Sequence, residues 1–309
     1  MDLKSELHKA PLFENLGLLA RQVVEGYISG IHKSPFHGYS AEFAEHKIYN
    51  PGESTKHIDW KLYAKTRKLF TKRYEEATNL RCHLIRDNTS SMYYPRVNRL
   101  DLDHLHKMGF SVLAAAAIME LLKKQRDAVG LSVFSDTYQY YAPEKGSERH
   151  YQMLLAALSE IGQDQPEKQQ TELHTYLHLI AEKLKRRSLV VLFSDLFQDQ
   201  VADQQLFEAL RHLKYNKHEV VLFHMTDAAT ELEFDFGNTP KRFVDVESGA
   251  KVDLYPEQVR ESYRKAIQEY IAAVKLVCAR YNIKYVGVDI AQPFARVLNA
   301  FLVERQRFV

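Results

Sequence analysis

SLVVLFSDLF, residues 188–197, sets five apolar residues in a row, Leu189 to Phe193, and then breaks at Ser194-Asp195. An unbroken apolar run of this length is the pattern of a strand buried on both faces, as in a parallel sheet covered by helices. Working outward, strand-like and helix-like segments alternate on both sides of it. Strands are expected at Leu80–Arg86, Val129–Phe134, Glu219–His224 and Lys284–Val288. Helices are expected over 103–125, 147–161, 172–186, 203–214, 256–281 and 293–305, with a short β excursion over 231–254. Ser135-Asp136 reads as a turn into Tyr138–Ala142, making an antiparallel edge hairpin. The fold class that follows is α/β, a Rossmann-like, mostly parallel sheet with helices on both faces.

Residues 1–77 read differently. Leu16, Leu19, Val23 and Tyr27 fall at helical spacing, and residues 36–75 change to short aromatic-rich segments broken by Pro51-Gly52, which suggest strands and turns and not helices. Two domains are therefore expected: an N-terminal module of helix plus short strands, 1–77, and the α/β domain, 78–309. Trp60, the single Trp, is expected to anchor the core of the first.

The bulk properties narrow the function classes. A formal charge of +2 over 309 residues gives no global pull toward nucleic acid or anionic lipid. The basic, aromatic-interleaved stretch KLYAKTRKLFTKR, residues 61–73, is the one local candidate for nucleic acid, and Glu75-Glu76 follow it directly, so a half-exposed sheet explains it better. Cys82 and Cys278 are the two cysteines. Their separation fits neither a disulfide framework nor a metal site, and a reducing, cytoplasmic location is expected. MDLKSELHKAPLFENLG has no signal-type apolar core, and the longest apolar run, Phe110–Leu122, is too short to cross a bilayer.

Ligands of open parallel sheets bind beyond the carboxyl ends of strands, near the point where strand order reverses. LIRDNTSSM, residues 84–92, leads off such an end. Asp87, Thr89 and Ser91 are spaced by two, so one carboxylate and two hydroxyls can converge from an extended loop. These hard oxygen donors suit Mg²⁺ or Mn²⁺. Thr171, ahead of a helix, and Asp195, closing the most hydrophobic strand, fall on the same edge and complete the expected ligand set. Turns or helix caps would use the same residue types, and spacing alone leaves both readings open.

Asp-x-Thr-x-Ser after strand one, a Thr about eighty residues on and an Asp ending a later strand resemble the metal-ion-dependent adhesion site of von Willebrand factor A domains. GIHKSPFHGYSAEFAEHKIYNPGESTKHIDWKLYAKTRKLFTKRYEE, residues 30–76, is similar to the signature of the bacterial domain of unknown function 58 family. Tyr49, Pro51, Gly52, Ile58, Asp59 and Trp60 are the most specific part. The chain departs from the family pattern at Glu53, Lys56 and Thr89, all with chemistry kept. It also departs at Arg86, where the family usually has an apolar residue and where a guanidinium could compete with a cation.

The resemblance implies a non-enzymatic module that holds a weakly bound Mg²⁺ or Mn²⁺ and recruits an acidic side chain of a protein partner, a MoxR-type AAA+ ATPase or its client. Two rivals remain. One is a Mg²⁺-dependent phosphotransferase, which commonly needs a second Asp where this chain has Thr89. The other is a decayed cation site that binds through surface shape alone. His174, His178 and Glu182 line one helix face as a zinc site would, beside the apolar stripe Leu173, Leu177, Ile180 and Leu184, and read as its solvated flank. Asp101, Asp103, His104 and His106 read as a polar helix start.

Overall fold

The computed structural model describes residues 13–30, 43–49, 58, 60–74, 80–97, 100–102, 104–135, 138–163, 173–185, 187–196, 200–246 and 249–308. The chain forms two compact units, one within residues 33–79 and the other comprising the first helix and residues 80–309.

In the smaller unit, β1 (Phe43–Ile48) pairs antiparallel with β2 (Phe70–Tyr74) in the register Ile48 opposite Phe70. Between them lies a helix, numbered α2, at Trp60–Thr66. The expectation of strands and turns alone is corrected here: WKLYAKT is rich in good helix formers, and the Thr66 hydroxyl closes the turn by donating to the Leu62 carbonyl at 2.9 Å. Trp60 is corrected too, since α2 buries none of its residues and the indole is 62 % exposed, edge-on to Tyr63 at 6.2 Å.

The larger unit opens with α1 (Leu16–Gly30), whose Leu16, Leu19, Ala20 and Val24 are buried in the same core as the sheet. Then follow β3 (Arg81–Asp87), α3 (Lys107–Lys124), β4 (Ala128–Phe134), β5 (Tyr138–Lys145), α4 (Glu148–Gln163), α5 (Leu173–Lys183), β6 (Leu189–Ser194), α6 (Gln200–Tyr215) and β7 (Glu219–Thr226). The chain continues through the hairpin β8 (Lys241–Val244) and β9 (Lys251–Leu254), and closes with α7 (Pro256–Arg280), β10 (Lys284–Asp289) and α8 (Ala295–Phe308).

Six strands make one sheet in the order β10-β7-β6-β3-β4-β5, parallel throughout except for β5, which returns antiparallel along β4. The α/β reading of the sequence is borne out, including the edge hairpin. Alternation along β6 explains why helices cover both faces. Leu189, Val191 and Phe193 join the core under α1, α3, α4 and α8, whereas Val190 and Leu192 join the core under α5, α6 and α7. With both faces covered by helices, the strand ends are where a ligand can reach the sheet. From β3 the chain moves outward to β4 and β5, then crosses back to place β6 on the other side of β3. The strand order therefore reverses between β3 and β6, and a ligand crevice is expected at their carboxyl ends.

Candidate functional site at the β3–β6 switch point

Asp87 ends β3 and Ser194 ends β6, so the switch point brings together two segments more than a hundred residues apart. The Asp87 carboxylate is fully engaged. Its Oδ1 accepts from the Thr89 amide at 3.1 Å and the Thr89 hydroxyl at 2.8 Å, and its Oδ2 accepts from the Ser194 hydroxyl at 2.7 Å. The Thr89 and Ser91 hydroxyl oxygens lie 3.1 Å apart, and Thr89, Ser91, Ser194 and Asp195 are all buried. The three side chains converge, but not from the extended loop that the sequence suggests: a short 3₁₀ turn over Ser90–Tyr93 holds the third member.

The turn after β6 is built to present Asp195. Leu196 sits at φ +56°, a left-handed conformation that costs a leucine about 1–2 kcal/mol. It is held there by burial, by the Leu196 amide donating to the Ser194 hydroxyl at 3.0 Å, and by Tyr270, whose hydroxyl donates to the Leu196 carbonyl at 2.7 Å.

Asp195 meets a cation of the protein's own. Lys107, the first residue of α3, is wholly buried, and its ammonium donates to Asp195 Oδ2 at 2.7 Å and to Glu231 Oε1. Glu231 lies in a single π-type turn, Ala228–Leu232, and its other oxygen accepts from the Asp227 amide at 2.8 Å. Beside the pair is a small cavity lined by Asp195, His224, Thr226, Glu231 and Tyr270. His224 forms its floor, one ring nitrogen 2.9 Å from the Asp195 carbonyl oxygen and the other 2.7 Å from the Tyr285 hydroxyl.

The electrostatics divide the site in two. Burial pushes Asp87 up to about 7, the nearby Asp195 charge adds to that, and the hydrogen bonds from Ser194 and Thr89 only partly offset it. Burial would lower Lys107, but Asp195 and Glu231 outweigh it and hold the ammonium above its ordinary value. Burial also raises Glu231 against the opposing pull of Lys107, and it depresses His224 to about 4.

Arg86 does not plug the site. Alternation turns it to the face opposite Ile85, where its guanidinium meets the Met108 sulfur, while Nε and Nη1 are buried without a hydrogen-bond partner. Burial lowers it to about 10. Thr171 and Asp103 lie outside the described residues. Asp101 makes a local turn, accepting from the His104 amide at 3.0 Å, and α3 begins later than the acidic stretch suggests, at Lys107, with the His106 Nδ1 capping it by accepting from Gly109 N at 2.8 Å. His178 meets His212 of α6 at 3.0 Å, and His212 in turn pairs with Glu182 at 2.9 Å.

Sequence reasoning missed Ser194, Lys107 and Glu231. A signal existed for Lys107: it is a lone cation at the amino end of a helix otherwise apolar through Met119 save for Ser111, where the dipole disfavours positive charge unless a carboxylate is near. Nothing local marks Glu231, which is brought in by tertiary structure alone.

The donor set fits a small hard cation by its chemistry. Adjacent oxygens on an octahedral Mg²⁺ stand about 2.9 Å apart given bonds of about 2.05 Å, and the 2.8 and 3.1 Å separations from Asp87 Oδ1 to Thr89 Oγ1 and on to Ser91 Oγ straddle that value. Among the described residues, however, no group of three or more His, Cys, Asp or Glu side chains gathers around one point, so hydroxyls and waters would have to supply most of the shell.

A doubly wound α/β domain with a buried cluster of oxygens at its switch point is the class that fold and site define. The chain belongs to the family described as "Protein of unknown function DUF58", whose model matches residues 45–272, as the signature around Tyr49 and Trp60 suggests. An uncharacterized protein of Mycobacterium tuberculosis H37Rv and one of Mycobacterium bovis are each 22 % identical over 186 residues, which is 60 % of this chain and 56 % of theirs. The chain thus spans little more than half the length of these curated relatives.

Among solved structures, an aerotolerance-related membrane protein from Bacteroides fragilis aligns with a TM-score of 0.46 at 13 % identity, over 73 % of this chain and 99 % of that one. BatB from Bacteroides thetaiotaomicron aligns at 0.44 and 13 %, over 74 % and 100 %, and the SpRpn10 VWA domain at 0.38 and 10 %, over 71 % and 94 %. The fold assignment rests on the strand order itself. Among the described residues no helix is long and apolar enough to cross a membrane.

Proposed function

We propose that this protein is a non-enzymatic protein-interaction module in which Asp87, Thr89, Ser91, Thr171 and Asp195 hold Mg²⁺ or Mn²⁺, and an acidic side chain of a partner completes the shell. The single supporting observation is the buried Asp87–Thr89–Ser91 oxygen cluster, whose carboxylate accepts from hydroxyls and an amide and, among the described residues, from no ammonium or guanidinium. One or two carboxylates leave a divalent ion under-neutralised, so an outside carboxylate is a favourable further ligand. The family resemblance supports a MoxR-type AAA+ ATPase or its client as that partner. The two buried, unpaired thiols, Cys82 and Cys278, support a reducing, cytoplasmic location.

The geometry speaks against phosphoryl transfer. The position two residues beyond Asp87, where a haloacid-dehalogenase-type enzyme has its general acid, is Thr89, and its hydroxyl is committed between Asp87 and Ser91. The reading is tested by calorimetric titration with Mn²⁺ and by partner capture with and without chelator. Wild type is expected to bind the ion and Asp87→Ala to lose it, with capture falling in parallel. Equal capture with and without chelator sinks the reading, and Mg²⁺-dependent turnover of a phosphate-ester panel that Asp87→Asn abolishes replaces it with the enzyme.

A further inference from the structure

Lys107 is an anomaly for a docking cleft. It occupies the first turn of α3, where the helix dipole repels a cation, and it has no solvent exposure. It is nevertheless held by two carboxylates from two different strand-end segments, Asp195 after β6 and Glu231 after β7, with the Tyr94 ring 5.8 Å from its nitrogen. The partners are themselves fixed: Glu231 by the Asp227 amide and by its own carbonyl accepting from Tyr263 at 3.0 Å, Asp195 by the strained turn at Leu196 and the His224 contact to its carbonyl.

The charge count explains the arrangement. Asp87, Asp195 and Glu231 bring three formal negative charges into one buried region, against two positive charges: Lys107, paired with Asp195 and Glu231, and Arg86, which acts on Asp87 through space with no hydrogen bond to it. An ammonium 2.7 Å from Asp195 Oδ2 and a divalent ion on the same carboxylate repel one another strongly in a low-dielectric site, and the ammonium takes up one of the lone-pair directions open to the ion.

We propose that Lys107 is a resident cation that occupies Asp195 in the metal-free protein and is displaced from it, toward Glu231 and the adjoining cavity, when a divalent ion enters at Asp87. This inference rests on the cation-site reading above and adds a claim that reading does not make. Loading is an exchange of an internal ammonium for an external ion, and Glu231 is the acceptor that keeps the released ammonium paired. The exchange also couples the site to the 228–232 turn, since Glu231 holds both the ammonium and the Asp227 amide.

The test compares wild type, Lys107→Met, Lys107→Arg and Glu231→Gln. Mn²⁺ affinity is read by titration, and the Lys107 ammonium is followed on Mg²⁺ addition by NMR of side-chain ¹⁵N-labelled lysine, its signal assigned by its loss in Lys107→Arg. Lys107→Met is expected to bind Mn²⁺ at least tenfold more tightly, and its melting temperature is expected to rise more on Mn²⁺ addition than that of wild type. Glu231→Gln, which takes from the ammonium the carboxylate that would receive it on displacement, is expected to bind more weakly.

In wild type the Lys107 signal is expected to be slow to exchange with water before Mg²⁺ and to shift and exchange faster after it. An unmoved Lys107 signal in a protein that does bind Mg²⁺ overturns the inference and leaves the cation-site reading standing, as does equal Mn²⁺ affinity in wild type and Lys107→Met. Binding by Lys107→Met alone supports the inference in its strongest form. Failure of every variant to bind either ion removes the cation site itself, and the inference with it. Should Lys107→Met not fold, Glu231→Gln and the NMR measurement carry the same decision.

Discussion

The two ends of the central sheet each bury an aspartate, and they treat it in opposite ways. At the amino end, Asp127 precedes β4 and receives the Leu80 amide on one oxygen and both Nε and Nη2 of Arg305 on the other, at 3.0 and 2.6 Å. At the carboxyl end, Asp87 receives only hydroxyls and an amide, with a second carboxylate, Asp195, close by. Burial raises both, but at Asp127 the guanidinium opposes it through hydrogen bonds, whereas at Asp87 the charge of Asp195 adds to it. A carboxylate given its counter-ion by the fold ties elements together, and one denied it is left with an unmet electrostatic demand that an external cation can satisfy. The lesson is that the buried acid without a hydrogen-bonded protein cation, and not the buried acid as such, marks the end of the sheet suited to binding.

The largest expected effect comes from breaking the completed pair. Arg305→Met leaves Asp127 buried and uncompensated and is expected to cost about 4 kcal/mol in urea unfolding at pH 7; a loss below about 1 kcal/mol would mean that the pair is dispensable and the contrast between the ends is false.

Next is the converse at the other end. Asp87 has a folded value of about 7, above its unfolded one, so its contribution to stability is fully present below about pH 4 and is lost as pH rises through 7. Asp87→Asn mimics the protonated form, and metal-free protein at pH 8 is expected to gain about 3 kcal/mol, the gap to wild type closing as pH is lowered toward 4. A variant no more stable than wild type at pH 8 would show that Asp87 is not under electrostatic strain.

Arg86 offers an intermediate case, a buried cation with two unpartnered nitrogens. Arg86→Met is expected to stabilise by about 2 kcal/mol, because an apolar side chain of similar volume removes an unmet desolvation cost; destabilisation in the same assay would assign Arg86 a partner role. The smallest effect is at His224. Its folded value of about 4 lies below the unfolded 6.5, so the neutral ring's contribution is complete above pH 6.5 and is lost as pH falls toward 4. His224→Gln is expected to flatten the acid limb of the stability profile by about 1–2 kcal/mol at pH 5, and an unchanged slope between pH 6.5 and 4 would remove His224 from the account.

Particular residues show how far the sequence could be read. The run Leu189–Phe193 specifies a two-face-buried strand because its chemistry leaves no solvent-compatible side, and with the alternating helices it determines the α/β class and the strand-end position of Asp195. The two-residue spacing of Asp87, Thr89 and Ser91 puts the three oxygens within reach of one another, and the 3₁₀ turn over Ser90–Tyr93 completes their convergence. The helix of WKLYAKT and the exposure of Trp60 are not legible in the sequence, because seven residues carry too little periodicity to set a helix against a strand, or an exposed aromatic against a core one.

What only the tertiary structure decided is pairing across distance: that Ser194 closes on Asp87, that Arg305 and not another cation reaches Asp127, and that Lys107 and Glu231 meet at Asp195. Those contacts join residues separated by 88 to 178 positions along the chain. Side-chain type fixes what a buried charge requires, and the order in which strands are laid into the sheet fixes which partner is there to supply it.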